Sequence, residues 1–200
     1  MRLVLALLLA PAVAHADVDW AKGIVTAPGV GVADRHAPNP AVARGTSRRV
    51  AEDAARAKLA GEIAALPLAG GGKVGDKAKD AAVKARLAAA VEHAISIAAE
   101  PETDGAWRVT MGVPIEAVRQ ALAGPRVLAD AGDGPPAAVI VDGVGGKPAV
   151  GVVGAATVWV TDVPAWAKDA PHVAGKRGKG GAIEGIDVQP QALYVIVGKP

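Results

Sequence analysis

Apolar positions recur along this chain at two periods, and the switches between them divide it into elements. Lys22 to Val32 (KGIVTAPGVGV) reads as a strand with Ile24, Val30 and Val32 apolar. Pro28-Gly29 within it predicts a bend or bulge at an edge position. Asn39-Pro40 then marks a helix start, an N-cap side chain directly before a proline at the first helical position, where its missing N–H is harmless. Ala51, Ala55, Leu59, Ile63 and Leu66 return at helical spacing, while Arg48, Arg49, Glu52, Asp53 and Arg56 point elsewhere, so the first set predicts a buried face. Pro67 closes the helix, and Ala69 to Gly75 forms a flexible, glycine-rich connection.

A second helix follows, with Asp76 as its expected cap and Val83, Leu87, Val91 and Ile95 as an i, i+4 ladder. From Ile95 the pattern changes. Ile95 to Ala99 alternates with period two, as do Trp107, Val109, Met111 and Val113, and Asp104-Gly105 between them predicts a β-hairpin. Pro114 opens a short helix in which Ile115, Val118 and Leu122 share a face, and Gly124 ends it. Residues 125–136 are turn-rich and read as a linker or a long surface loop. Beyond it, in residues 137–200, Ala138 to Val141, Val150 to Val153, Thr157 to Val160, Ile183 to Val188 and Leu193 to Val197 are short runs rich in β-branched residues. Several are continuously apolar, which predicts strands covered on both faces or a small closed sheet.

Composition changes the picture at the N-terminus. Arg2, the apolar stretch Leu3 to Val13 and Ala14-His15-Ala16 before Asp17 predict an export signal, residues 1–16, cleaved after Ala16. The apolar run is far shorter than the roughly 20 residues that a membrane span needs, and Pro11 interrupts it. The expected location is therefore periplasmic or secreted, with no transmembrane segment after cleavage. Loss of Arg2 removes one charge from a formal net of +2, so the surface offers no strongly basic face for nucleic acid. The chain has no Cys, so disulfides and thiol chemistry are excluded. At 51% hydrophobic residues it is a folding sequence, although Ala supplies much of that count and buries little area.

Candidate chemistry is sparse. Gly70 to Gly75 (GGGKVG) fits the G-x-G-x-x-G pattern formally, but it follows a helix, not a strand, and no acidic residue stands about 20 positions on. The phosphate-loop pattern fails because Asp76 occupies the place of the required lysine. Ser47 and Ser96 are the only serines; Ser96 has His93 and Glu92 nearby in sequence, yet adjacent helical positions diverge, so no triad is expected. His36, His93 and His172 are too widely spaced for a recognisable metal site, Asp34-Arg35-His36 included, and no cofactor is expected. Glu52, Asp53, Glu62 and Glu92 read as helix surface, with Glu52 set against Arg56. The remaining contact candidates are Lys176, Arg177 and Lys179 in GKRGKGG, together with Trp159 and Trp166, which flank Pro164. Trp107 belongs to a strand pattern and is expected in the core.

The run GIVTAPGVGVADRHAPNPAVARGTSRRVAEDAARAKLAGEIAAL resembles a small bacterial envelope family that includes the Lpp-twenty-type lipoproteins and the N-terminal domain of flagellar assembly protein T. The shared features are a glycine-bearing strand and a long helix of the form R-x-A-E-x-x-A-x-x-x-L-A, here Arg49 to Ala60. The hairpin at Asp104-Gly105 fits as well, and Val139 to Gly143 with Lys147-Pro148-Ala149 resembles the strand, Asp, Gly-rich turn and Lys-Pro-Ala segment that follows. The lipid-bearing Cys of the lipoprotein members is missing, and GKRGKGG is an insertion. The resemblance implies an envelope location, assembly or adaptor roles and no catalytic residues to carry over.

Together these readings predict an α+β fold, with a small antiparallel sheet packed by two long helices in residues 17–124 and a small β-rich C-terminal unit. The expected function is that of an exported, non-enzymatic, lipoprotein-like envelope protein acting as an assembly, adaptor or structural component through an envelope protein partner. The alternative is a periplasmic binding module for an envelope glycan or other anionic ligand.

Overall fold

The computed structural model describes residues 16–124, 138–151, 155–178, 183–189 and 192–198. Residues 1–15 of the expected signal 1–16, the whole expected linker 125–136 and Lys179 lie outside the described residues.

The fold is α+β. Its first part is a four-stranded antiparallel sheet in the order β1 (Asp17–Asp19), β2 (Ile24–Gly31), β4 (Trp107–Pro114), β3 (Ile95–Pro101). The long helix α1 (Pro40–Ala65) lies across one face of it. Asn39 caps α1 as its sequence predicts, accepting a hydrogen bond from the Val42 N–H at 3.0 Å. The buried stripe of α1 is Ser47, Ala51, Ala55, Leu59 and Ile63, one residue per turn, and it meets Val25 and Ala27 of β2 and Val109, Met111 and Val113 of β4. Full burial of a side chain such as Leu59 stabilises the fold by about 1.5–3 kcal/mol.

Three of those helix residues are small because two strand residues have no side chain. A Cβ added to Gly29 would lie 1.9 Å from the carbonyl oxygen of Ala51, and one added to Gly31 would lie 1.9 Å from that of Ser47. Helix backbone and strand backbone are in contact there. Ser47 turns the contact into a tie, its hydroxyl donating to the Gly31 carbonyl at 2.6 Å while fully buried. The glycines thus serve close packing, and the bend expected at Pro28-Gly29 does not occur. β2 pairs with β4 along its whole length, and Pro28 lies in the half of β2 that β1 does not reach.

The second helical region departs from the expected cap. Asp76 accepts from the Lys73 N–H at 2.8 Å and belongs to the short α2 (Val74–Lys77). The ladder helix is α3 (Ala81–Glu92), and its cap is Asp80, which accepts from the N–H groups of Ala82 and Val83. Asp80 stands immediately before the helix, where the free N–H groups point at it; Asp76 is a turn too early. Ile95 leaves the ladder and opens β3. The hairpin turns at Asp104-Gly105 as predicted, Gly105 at φ +84 and Asp104 accepting from the Ala106 N–H. After β4 comes α4 (Ile115–Ala123), which packs on α3 and is ended by Gly124.

The second part is a parallel sheet in the order β6 (Thr157–Val160), β10 (Leu193–Val197), β5 (Ala138–Asp142), β7 (His172–Ala174). The crossover from β6 to β7 carries only a 3-10 turn, Ala165–Ala167. A short hairpin, β8 (Lys176–Arg177) with β9 (Ile183–Glu184), precedes β10. Both faces are covered, as the continuous apolar runs predict. Ile140, Val158 and Val195 meet Ala167 on one side, while Val141, Trp159, Tyr194 and Ile196 meet Val144 and Ala192 on the other. The buried Tyr194 hydroxyl accepts from the Gln189 N–H at 2.7 Å and donates to the Asp187 carbonyl. Two expected strands are shorter than predicted. Ile183 to Val188 is extended only through Glu184, because Gly185 turns the chain at φ +86. Of Val150 to Val153, Val150 forms a single bridge to Leu68, and Val152 and Val153 lie outside the described residues.

The two sheets are joined directly. The Val150 N–H donates to the Pro67 carbonyl and its own carbonyl accepts from the Ala69 N–H, both at 2.9 Å, while the Trp159 N–H donates to the Trp20 carbonyl at 3.1 Å. Val150 is buried in the core beneath α1, and Trp20 packs against both cores.

Candidate functional site

Of the basic segment and the tryptophans singled out by sequence as contact residues, Arg177 and Trp159 are engaged with each other, whereas Lys176 and Trp166 are exposed. Arg177 lies over the Trp159 ring, its guanidinium carbon 5.2 Å from the centroid, and donates to the Lys147 carbonyl at 2.9 Å. Gly146 leaves room for it; a Cβ there would come within 2.7 Å of the guanidinium. Lys176 faces Glu184 at 3.8 Å. Trp159 is core, 5% exposed, and Trp107 packs at the margin of the first core beneath the Arg48 guanidinium. Trp166 alone of the proposed aromatic contacts stands out, 61% exposed beside the 3-10 turn.

The glycine run does not form a phosphate cradle. Gly71 and Gly72 take positive φ to close a tight turn, in which the Gly71 N–H donates to the Leu68 carbonyl and the Leu68 N–H to that of Gly72. A Cβ on Gly72 would meet the Asp76 carboxylate at 2.9 Å. The Asp76 side chain lies against this turn and accepts the Lys73 N–H, so that donor is already taken within the chain. His93 caps the end of α3 with its backbone N–H, and Ser96 and Glu92 lie exposed without a hydrogen bond linking the three. His36 is exposed in its loop, its N–H bonded to Asp34. No group of three His, Asp or Glu side chains converges as a metal site would require among the described residues. Glu52 pairs with Arg48 and Arg56, which is the helix surface expected.

Sequence reasoning missed one pairing, that of His172 and Asp142. Nδ1 of His172 lies 2.6 Å from Oδ2 of Asp142, joining the edge strand β7 to β5. Both side chains are about half exposed. The signal was absent from the chain because the two residues are 30 positions apart.

A cleft of about 310 Å³ opens where the two sheets join, lined by Val18, Trp20, Ala65, Leu66, Pro67 and Pro148, with Glu62 and Lys147 as its charged residues. Beside it, Asp19 and Lys22 clamp the β1 to β2 turn. The Lys22 N–H and ammonium both bond Asp19, holding its carboxyl below the ordinary aspartate range and the lysine above its own.

The face of the antiparallel sheet opposite α1 is partly exposed. Ile24, Thr26, Pro28 and Val30 of β2 and Arg108, Thr110 and Gly112 of β4 alternate with the buried residues and so point away from the helix. Ile97 of β3 closes over Gly112 from the side, as Ile24 does. Val30 is 47% exposed, and Ile95 and Ile97 are each 50% exposed. No residue of β3 is buried. No helix among the described residues is long and apolar enough to cross a membrane. No family model and no curated protein matches the chain.

Proposed function

We propose that the protein is an exported, non-enzymatic envelope component that acts as an assembly or adaptor element through protein contacts. One observation carries this reading: the antiparallel sheet presents a bare edge strand and a partly exposed face, with Ile95, Ile97 and Val30 in solvent, backed by α1 and joined to the second sheet. The export signal in residues 1–16 and the resemblance to the envelope family point the same way. The glycan or anion reading draws less support, because Arg177 is engaged by Trp159 and the Lys147 carbonyl, which leaves Lys176 as the exposed cation of that segment among the described residues.

Cross-linking in intact cells of the native host, followed by envelope fractionation and identification of the joined protein, tests the proposal. Recovery with one defined envelope assembly is the expected result. Recovery only in an uncross-linked, soluble form, with Ile97→Asp leaving every phenotype of the cell unchanged, would overturn it.

A further inference from the structure

Each edge of the two four-stranded sheets is blunted except one. β1 is three residues long and carries Asp17 and Asp19. β7 is three residues long, and its His172 contacts Asp142 of β5. β6 gives the Trp159 N–H to the Trp20 carbonyl on its outer side. β3 is seven residues long, pairs only with β4, has no charged side chain from Ile95 to Ala99 and buries none of its residues. An edge of that length and composition is a template for another strand, because its outward N–H and C=O groups have no partner in the sheet.

We propose that β3 pairs antiparallel with β3 of a second copy of this chain, joining the two antiparallel sheets into one across a two-fold axis. The register follows from a bulge. Ser96 pairs with Met111 and Ala98 with Thr110, so Ile97 is the extra residue, and its side chain turns to the face opposite α1, over Gly112. Ile95, Ile97, Ala98 and Glu100 therefore lie on that face, with Ser96 and Ala99 on the other. Placing the two-fold axis between Ile97 and Ala98 sets Ile97 opposite Ala98, Ser96 opposite Ala99 and Ile95 opposite Glu100, each pair on one face. A shift by one residue sets residues of opposite faces against each other. In this register no charge opposes a like charge, and Glu100 stays beside Arg108, its cross-strand neighbour in its own copy. An isologous contact of this kind closes at two copies and leaves no further edge of the same kind.

The cysteine-free chain makes the test clean. Sedimentation equilibrium of the purified full chain reads the oligomeric state, and Ala98→Cys reads the register. In-register strands about 4.8 Å apart, with a rise of about 3.4 Å per residue, bring the two Cα atoms at position 98 to about 6 Å, within disulfide reach. The expected results are a dimer, an interchain disulfide for Ala98→Cys under mild oxidation with none for Lys58→Cys on the exposed side of α1, and association weakened at least about tenfold by Ile97→Lys with an unchanged circular dichroism spectrum. A monomer at every concentration, or equal cross-linking at positions 98 and 58, would overturn the pairing, whether or not another protein takes the edge. The inference rests on the reading of this sheet as a contact surface, but the two fail separately: a monomer that still joins an envelope assembly leaves the function standing, and a dimer with no partner leaves the pairing standing.

Discussion

In the antiparallel sheet, β2 and β4 send Val25, Ala27, Val109, Met111 and Val113 to one side and leave Thr26, Thr110 and Val30 on the other, whereas β5 and β10 of the parallel sheet bury apolar side chains on both sides. A sheet covered on one face keeps a surface for contacts; a sheet covered on both is a support. The junction through Val150, Trp159 and Trp20 ties the parallel sheet to the antiparallel one. The difference also places the weak points. The first sheet depends on how closely one helix can approach it, and the second on how well its strands fill two thin cores.

The largest expected effect breaks the first sheet alone. Gly29→Val forces side-chain atoms into the backbone of α1 at Ala51, and we expect a loss of about 3 kcal/mol or more, or failure to fold, by thermal denaturation followed by circular dichroism. Gly61→Ala is the matched control: nothing lies within 4 Å of a Cβ there, so replacing a mid-helix glycine raises stability by up to about 1 kcal/mol. An unchanged midpoint for Gly29→Val would mean that helix and strand are not in backbone contact.

Next in size is a paired truncation that asks whether the two sheets unfold together. Leu59→Ala in the first core and Ile196→Ala in the second each remove a fully buried side chain and are expected to lower stability by about 2–5 kcal/mol. Because Val150 lies in the first core while bonded to Pro67 and Ala69, both variants should shift one calorimetric transition rather than split it. Two transitions, one moved by each variant, would make the sheets independent.

Asp80→Ala gives a smaller effect confined to α3. The N–H groups of Val83 and Ala82 hold the Asp80 carboxyl below its ordinary value, so folding favours the charged form. Stability from this cap is therefore fully present above the unfolded aspartate range and is lost as pH falls through the depressed folded value. The midpoints of wild type and Asp80→Ala should differ at neutral pH and converge in acid; a constant gap would assign the loss to helix propensity.

How much of this was legible in the sequence follows the same division. Strand periodicity, the Asn39-Pro40 start and the Asp104-Gly105 turn are local signals, and each matches the element formed. Asp76 misled because Asp80 also precedes the ladder, and only the direction of free N–H groups decides between them. The parallel order β6, β10, β5, β7 left no trace, since its crossovers show no α-helix among the described residues to announce a strand–helix–strand alternation. Arg177 and Trp159 looked like contacts because both residue types favour interfaces; their mutual stacking depends on Gly146 and the Lys147 carbonyl, some 30 positions from the arginine. The bare edge was half visible, as an uncharged alternating run at Ile95 to Ala99. Its exposure was not, because nothing local says that the helices stop short of it.

The smallest effect on stability separates the two kinds of edge most sharply. His172 and Asp142 are about half exposed, so their contact is screened by water, and His172→Gln with Asp142→Asn should change unfolding free energy by no more than about 1 kcal/mol. Their role on this reading is at the edge itself. Polar side chains at a short outer strand discourage another strand from docking, and β7 has His172 bonded to Asp142 of β5 where β3 has Ile95 and Ile97. The double variant should therefore keep the wild-type melting curve yet associate more readily at high protein concentration, read by light scattering. Ile97→Lys should move the opposite way, keeping its fold and losing association. If neutralising β7 lowers stability by several kcal/mol instead, the pair holds β7 to β5 and the contrast between a guarded and an open edge fails; if scattering stays flat, three residues are too short a strand to need guarding.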